Sequence, residues 1–270
     1  FKLIKEIKSF QECKNFINEI SVDFCFSDPH FLNDESNLYD AFKKENQKAY
    51  GVFKKGKLIG LFVWLIIPNE KYIELIVGLS RSEEVYEEML AFIEKKYPKF
   101  KIDFVINPLN QVFINVLSKR NAKFDKEQQK MVWTKTPLVN SDLDIKLNSL
   151  EYEEQYKTLH TKEGYWTADK VLKAQDKFRV LLAIANKKVI GYLDVTHCCE
   201  ENEIYSLFVL DDFKGLGYEQ ALLSKEIKFN HSKGLMVFVE VDSTKEIEIY
   251  EDAGFRKVNG LNSIYVTYIS

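Results

Sequence analysis

Two glycines, Gly215 and Gly217, stand between an apolar segment that ends at Val209 and a segment with helical periodicity. A glycine-rich turn that enters a helix presents free N–H groups at the positive end of the helix dipole, which suits a phosphate or diphosphate. Lys214 adds a positive charge at the mouth of the turn. We predict a phosphate-binding loop over residues 214–219. Its spacing fits neither the P-loop nor the dinucleotide-binding fingerprint, and glycines so placed also start ordinary helices.

Two carboxylates in the same half of the chain could accept a proton from a reacting group. Glu240 interrupts the apolar segment LMVFVEV, and an acid on such a strand is a candidate for a raised pKa. Glu203 begins the segment that leads to Val209. The alternatives are a strand-end acid with a structural partner for Glu240 and a solvated strand end for Glu203.

The cysteines and histidines do not have the spacing of a metal site. His197 precedes Cys198 and Cys199, but adjacent cysteines lack the separation of zinc ligands and no fourth ligand is evident. The other cysteines, Cys13 and Cys25, form no C-x-x-C pair. We therefore expect no metal, and we expect reduced thiols in a cytoplasmic protein.

Composition excludes some classes of partner. The chain has 270 residues, is 46% hydrophobic and 29% charged, and carries a formal net charge of −3. This charge gives no general attraction to nucleic acid or to an anionic membrane, and no basic and aromatic cluster points to nucleic acid. The most apolar run, residues 58–67, is too short to span a bilayer and predicts a buried strand.

The chain contains an internal repeat. YGVFKKGKLIGLFVWLII at residues 50–67 and LLAIANKKVIGYLDVTHC at residues 181–198 share an apolar run, a turn containing lysine, an I-G pair and a second apolar run. This pattern is typical of a β-hairpin. Gly60 and Gly191 of the two I-G pairs lie 131 positions apart, so we predict two copies of one unit.

The repeat predicts both the domains and the fold class. The copies span residues 1–135 and 144–270, and Pro137 lies in the polar joint between them. In each copy a strand, a long helix and a second strand follow the hairpin, which predicts a parallel strand pair with a right-handed crossover. We expect an α/β fold, mixed with α+β character, in which each unit is a mixed central sheet covered by helices.

The second copy resembles the GNAT superfamily of N-acetyltransferases. The segment LFVLDDFKGLGYEQALL is similar to the acetyl-coenzyme A signature of that family, with Val209 at the strand end and Gly217 at the first required glycine. Lys214 stands where the family has Gln or Arg. Glu219 stands where the family has a small residue, and a carboxylate there could repel a diphosphate unless it points to water.

A second motif carries the same resemblance. STKEIEIYEDAGF is similar to a family segment that ends in Tyr, three residues, Gly and Phe, and it matches at Tyr250, Gly254 and Phe255. Ser243 stands where Asn is usual, and Glu246 where Ala is usual. The two motifs have the spacing of the family, and the resemblance covers essentially the whole second copy.

The resemblance implies an acyltransferase that uses acetyl-CoA (coenzyme A) as co-substrate, with no metal. The acetyl or other acyl group would pass directly, in a ternary complex, to the amine of a small molecule or peptide. A backbone N–H near Val209 would bind the oxyanion, and Tyr250 would protonate the leaving thiolate. The residues expected to bind the cofactor are Leu207, Phe208, Val209, Lys214, Gly215, Leu216, Gly217, Tyr218, Glu219 and Ser243.

The first copy resembles the same fold without the chemistry. Its equivalent loop, GLSRSEEVYEEML, lacks paired glycines and contains Glu83 and Glu84. Lys119 lies at the offset of Tyr250. We expect a degenerate copy that packs on the second and helps to shape the acceptor pocket, and a chain that is a monomer or a homodimer.

Two other functions stay open. Glu219 and Ser243 favour a catalytically weak or inactive module that binds acyl-CoA and regulates. A Fem-like aminoacyl transferase also has paired units of this fold, but it would not require the glycine loop. Tyr165 and Trp166 could line an acceptor pocket or only pack in the core.

Overall fold

A computed structural model describes residues 2–29, 31, 36–134, 141–160, 164–230 and 233–270. Its contacts define two compact units. Unit 1 consists of Phe1–Gln128 and Gly260–Ser270, and unit 2 consists of Gln129–Asn259. The C-terminal segment therefore lies in unit 1, whereas the sequence places it in the second copy. The division into copies at 1–135 and 144–270 stays a prediction about the repeat.

The helices and strands follow the predicted order along the chain. Those that begin in unit 1 are β1 (Lys2–Glu6), α1 (Lys14–Ile20), α2 (Ser36–Ala41), β2 (Gln47–Lys54), β3 (Lys57–Ile67), β4 (Tyr72–Ser80), α3 (Glu83–Lys96), β5 (Lys101–Ile106), α4 (Gln111–Ser118) and β6 (Lys123–Trp133). Those that follow are β7 (Ile145–Leu147), α5 (Glu153–Leu159), α6 (Ala168–Lys173), β8 (Phe178–Ala185), β9 (Lys188–Thr196), β10 (Glu201–Val209), α7 (Tyr218–Asn230), β11 (Gly234–Glu240), α8 (Thr244–Asp252), β12 (Phe255–Lys257) and β13 (Ser263–Ile269).

The sheet of unit 1 has the order β1-β2-β3-β4-β5-β13-β6. The pair β4 and β5 is parallel, and α3 connects its strands as a crossover. The other pairs are antiparallel, so the sheet is mixed. Strand β13 supplies the buried residues Val266 and Tyr268 to the core of this unit, where they pack with Phe104.

The sheet of unit 2 repeats this plan. Its order is β6-β11-β10-β9-β8-β7, and β12 pairs with the last residues of β6. Strands β10 and β11 are parallel, and α7 connects them. The predicted fold class, a mixed sheet covered by helices in each unit, is confirmed.

Two separate apolar clusters lie on the two faces of the unit 2 sheet. Neighbouring residues of a strand point to opposite faces, and Leu193 and Tyr192 of β9 belong to different clusters. The cluster of Leu193 contains Val209 of β10 and buried residues of α7 and α8, such as Leu222 and Tyr250. The cluster of Tyr192 contains buried residues of α5 and α6. The end of β10 therefore lies beneath α7 and α8.

No helix in the described ranges is long and apolar enough to cross a membrane. The apolar run at residues 58–67 lies in β3, where most of its side chains are buried, as predicted.

Candidate functional site

Strands β10 and β11 separate halfway along their length. Their paired residues run from Glu201 opposite Gly234 to Ile204 opposite Val237. A β-bulge interrupts the pairing of β10 with β9 between Ile204 and Ser206. The N–H groups of successive residues in a strand point alternately to the strands on its two sides. A bulge adds one residue to β10, and so it changes which N–H groups point to β9 and which point to β11.

The bulge leaves two N–H groups of β10 facing the gap. Leu210 donates to the carbonyl of Ile190 on β9 at 2.8 Å. In an antiparallel ladder the residues two positions apart share this orientation, so Phe208 also bonds to β9. Leu207 and Val209 therefore direct their N–H groups away from β9, toward the side that β11 has left. No side chain of the described residues is bonded to either group.

Gly191 of the I-G pair allows β9 to approach this end of β10. A Cβ atom at Gly191 would lie 2.6 Å from the carbonyl oxygen of Phe208 and 3.2 Å from the Cα of Val209. Backbone atoms cannot swing aside as a flexible side chain can. Close packing of β9 against β10 therefore explains why unit 2 has a glycine at this position of the repeat.

The loop between β10 and α7 depends on two glycines with positive φ. Gly215 has φ +74° and Gly217 has φ +90°. A Cβ at Gly215 would meet no atom within 4 Å, and a Cβ at Gly217 would reach only Leu143, at 3.8 Å. These glycines are therefore required for their backbone conformation, and the surrounding space stays open for a ligand.

Helix α7 begins with unbonded N–H groups at this loop. The N–H of Ala221 donates to the carbonyl of Gly217 at 2.9 Å and is the first bond of the helix. The N–H groups of Tyr218, Glu219 and Gln220 therefore have no partner within the helix. With the helix dipole, such groups favour an anion, and phosphate binding at residues 214–219 stays a prediction.

Lys214 lies at the loop with its charge already paired. Its Nζ is 2.6 Å from Oδ1 of Asp211, and both side chains are exposed. The hydrogen bond and charge of Lys214 hold the pKa of Asp211 below its usual value. An anionic ligand at the loop would compete with Asp211 for this ammonium group.

Glu219 is buried, with 8% of its surface exposed. It begins a buried stripe on α7 that continues through Leu222, Leu223 and Glu226 at helical spacing. Glu226 on this stripe receives a hydrogen bond from Arg179 Nε at 2.9 Å. The carboxyl group of Glu219 thus belongs to the inward face of the first turn.

Tyr250 lies on α8 in the same buried cluster as Val209. Its ring packs against Phe255 at a centroid distance of 5.4 Å, and 1% of its surface is exposed. Burial, with a smaller contribution from Glu246, raises the pKa of Tyr250 well above its usual value. The phenol is therefore uncharged at neutral pH and can donate a hydrogen bond.

The start of α8 brings two further predicted residues together. Ser243 is the N-cap residue of α8, and its N–H donates to the carbonyl of Glu240 at the end of β11, at 3.0 Å. Glu246 lies on the surface of α8, but desolvation of its carboxyl group raises its pKa; the charge of Glu240 adds to this effect, and a hydrogen bond with Ser243 opposes it. In the sequence, Glu246 stands out only as a departure from the family pattern. Its spacing of four residues from Tyr250 was the available signal.

Glu203 lies in a different part of β10. It is paired with Met236, before the strands separate, and its N–H donates to Thr196 Oγ1 at 2.8 Å. Four residues of strand, roughly 13 Å, separate it from Leu207. The structure therefore brings together the strand end, the loop and the start of α8, and it places Glu203 apart from them.

A buried polar network on the opposite face escaped the sequence analysis. The carboxylate of Asp194 on β9 receives the hydroxyl of Tyr156 at 3.0 Å and lies 2.9 Å from His160 Nε2. Burial raises the pKa of Asp194, and the bonds from His160 and Tyr156 oppose this rise. The network attaches α5 to β9. Its signal was the single acid in the apolar strand at residues 188–196.

The aromatic pair that follows α5 packs against its surroundings. Trp166 meets Phe178 edge-on at a centroid distance of 4.8 Å, and Lys170 lies 3.6 Å from the ring centre of Tyr165.

Within the described ranges, no group of three or more His, Cys, Asp or Glu side chains could hold a metal ion.

Comparisons with known proteins agree with this arrangement. Residues 149–264 match the family model described as acetyltransferase (GNAT) domain. A search of curated protein sequences found no significant match.

Solved structures share the fold of the whole chain at low identity. A GCN5-related N-acetyltransferase from Sphaerobacter thermophilus has a TM-score of 0.69 and 11% identity, over 99% of this chain and 95% of that one. A tandem GNAT protein from the clavulanic acid biosynthesis pathway has a TM-score of 0.62 and 9% identity, over 100% and 98%. Residues 149–264 are therefore a GNAT acetyltransferase domain, in a chain with the fold of tandem GNAT proteins.

Proposed function

We propose that this protein transfers an acetyl or other acyl group from coenzyme A to the amine of a small molecule or peptide, by direct transfer in a ternary complex. One observation carries the proposal: the gap between β10 and β11, with the N–H groups of Leu207 and Val209 facing it, adjoins a glycine loop at the start of α7. An extended ligand with amide groups at one end and a diphosphate at the other fits this set of donors.

The residues of the loop and strand would divide the binding between them. The free N–H groups at the start of α7 and the exposed Lys214 would bind the diphosphate, since both attract anions. The backbone of residues 207–209 would pair with the amide groups of the pantetheine arm, as an added strand does. Bound acetyl-CoA supplies the acyl group as a thioester.

The end of β10 would also stabilise the developing charge. When an amine attacks a thioester, the carbonyl oxygen gains negative charge, and a preorganised backbone N–H can bind it. The N–H of Val209 is the candidate donor because it is the last one of β10 that faces the gap. Gly191 behind Val209 fixes the position of this donor.

Proton transfer would involve Tyr250 and a carboxylate. The raised pKa of Tyr250 favours a role as hydrogen-bond donor to the leaving sulphur. Glu240, at the end of β11, is the preferred proton acceptor for the amine, because Glu203 lies farther down β10. Glu246 lies close enough to Glu240 for their charges to interact, so the proton taken from the amine would be shared between the two carboxylates.

Calorimetry with acetyl-CoA, followed by measurement of free thiol released with a panel of amines, tests the proposal. We expect binding of one molecule per chain and thiol release with at least one amine. If acetyl-CoA does not bind, both the site and the reaction are wrong.

A second function is favoured by one observation. Glu219 is a buried acid in the first turn of the helix that would bind the diphosphate, and it would weaken that binding. A module that binds acyl-CoA without transferring the acyl group would tolerate this cost. Binding without turnover across the amine panel would favour that function.

A further inference from the structure

Two neighbouring thiols lie together on the surface of unit 2. Cys198 and Cys199 are in the turn that joins β9 to β10, and both are free and exposed. Their sulphur atoms are 3.4 Å apart. Neither residue belongs to the candidate site, which lies at the other end of β10.

The turn that carries the two thiols is held by buried amide groups. The N–H of Cys199 donates to Oδ1 of Asn202 at 3.0 Å, and Nδ2 of Asn202 donates to Oδ1 of Asn230 at 2.8 Å. Asn230 in turn donates to the carbonyl of Gly234 at 3.1 Å. Asn202 and Asn230 are almost completely buried, so the backbone of the turn at Cys199 is held by the core of unit 2.

The charges around the pair are mixed. Partial burial and the neighbouring Cys198 raise the pKa of Cys199 to about 11, and Lys177 and Lys233 oppose this rise. The Cys199 thiol is therefore largely protonated at neutral pH. A reagent that takes up this proton in its own reaction suits Cys199 better than one that requires a thiolate in advance.

The geometry disfavours the two common fates of paired cysteines. Neighbouring Cα atoms are about 3.8 Å apart, whereas disulfides usually span about 4.4–6.8 Å, so a disulfide here is strained. Zinc requires about four ligands. The described residues provide no group of three metal-binding side chains, and the Nε2 of His197 is bonded to the carbonyl of Gln175 at 2.9 Å.

We propose that Cys198 and Cys199 form a dithiol site that binds one trivalent arsenical, with both sulphurs on the same arsenic atom. An organic arsenical already has one carbon substituent and needs two sulphurs to complete its three bonds. Two As–S bonds at an angle span a wider gap than a single S–S bond, which suits sulphurs that lie 3.4 Å apart.

The reaction balances without an electron donor or acceptor. Phenylarsine oxide, with its As=O group, reacts with two S–H groups. Two As–S bonds form, the As=O and both S–H bonds break, and the oxygen leaves with the two protons as water. Arsenic stays trivalent and sulphur is not oxidised.

Titration with phenylarsine oxide, followed by intact mass and counting of accessible thiols, tests the site. We expect one adduct per chain, the loss of two accessible thiols, and reversal by dithiothreitol but not by a monothiol. Cys198→Ser and Cys199→Ser should each weaken binding by about 100-fold or more, because the second As–S bond benefits from a high effective concentration.

Cys25→Ser is the matched control, because Cys25 is an exposed thiol without a neighbouring cysteine. This variant should bind phenylarsine oxide as the unchanged protein does. The proposal is wrong if either single variant at 198 or 199 keeps full affinity, or if Cys25→Ser removes it. Serine is close to cysteine in size and both sites are exposed, so a circular dichroism spectrum should confirm an intact fold.

Discussion

Ser80 in unit 1 and Val209 in unit 2 hold equivalent places at the ends of their strands, opposite Gly60 and Gly191. In unit 1 the N–H of Ser80 is bonded to the hydroxyl of Tyr86 at 3.2 Å. In unit 2 no side chain of the described residues is bonded to the N–H of Val209. The same backbone group is thus satisfied internally in one unit and open in the other.

The next donor along the strand shows the same difference. The N–H of Gly78 is bonded to Oδ2 of Asp28 at 2.8 Å, whereas its equivalent in unit 2, that of Leu207, faces the gap. The connection to the helix also differs. Two residues, Arg81 and Ser82, lead from β4 to α3, whereas residues 210–217 lead from β10 to α7.

One framework can thus have the donors at the end of its central strand either closed by side chains or open. A buried N–H group without a partner is costly, so unit 1 gains stability by supplying Asp28 and Tyr86 as partners. Unit 2 has no such side-chain partners for Leu207 and Val209 among the described residues, and it has the glycine loop. The predicted degeneracy of the first copy thus has a physical description. Asp28 and Tyr86 occupy the backbone donors at the end of β4, and the connection to α3 is short.

The largest expected effect comes from the glycine loop. Gly215→Asp should weaken acetyl-CoA binding by about 100-fold or more in calorimetry, because it strains the backbone and adds a negative charge to the anion site. Gly56→Asp is the control, since Gly56 has φ +79° and, like Gly215, open space around its Cβ position. Equal affinities of the two variants would mean that the loop does not bind the ligand.

Substitution of two buried tyrosines, one in each unit, should have different effects on turnover. Tyr250→Phe should slow turnover by about 100-fold, the loss typical of a proton donor, with little change in acetyl-CoA binding. Tyr86→Phe removes the partner of the Ser80 N–H and should leave turnover unchanged. Steady-state kinetics of both variants measure this contrast, and an unaffected rate in Tyr250→Phe would remove its assigned role.

The internal partner in unit 1 should matter for stability alone. Asp28→Ala leaves the buried Gly78 N–H without this acceptor and should lower the free energy of unfolding by about 1–3 kcal/mol. Asp28→Asn keeps an acceptor oxygen and should lose less. Urea denaturation measures both values. If the two variants are equally stable, the bond to Gly78 is not what Asp28 contributes.

The smallest effect concerns the competition for Lys214. Asp211→Asn should tighten acetyl-CoA binding about twofold at low salt, because the exposed pair no longer holds the ammonium group. The gain should disappear at high salt, where exposed charges are screened. Asp212→Asn is the control for the loss of one negative charge nearby. Equal gains in the two variants would argue against a specific pairing with Asp211.

The sequence predicted what depends on local pattern. The glycine loop, the hairpins and the parallel strand pair follow from residue types at short spacing, and the structure has them. The orientation of Leu207 and Val209 could not be predicted, because it depends on a β-bulge in the pairing of β10 with β9 and on the point where β11 stops pairing with β10. The buried position of Glu219 depends on how α7 packs against the sheet. Asp28 could not be assigned, since it acts across 50 residues on Gly78.

The position of β13 has a consequence for synthesis. This strand lies between β5 and β6 in unit 1 and bonds to both, yet the whole of unit 2, Gln129–Asn259, separates it in sequence from the rest of unit 1. At a translation rate of about 5–20 residues per second, the nascent unit 1 waits roughly 7–26 s for this strand. During that interval the edges of β5 and β6 are unpaired and can pair with other chains. The ribosome must therefore synthesise all of unit 2 and then β13 before unit 1 can close its sheet.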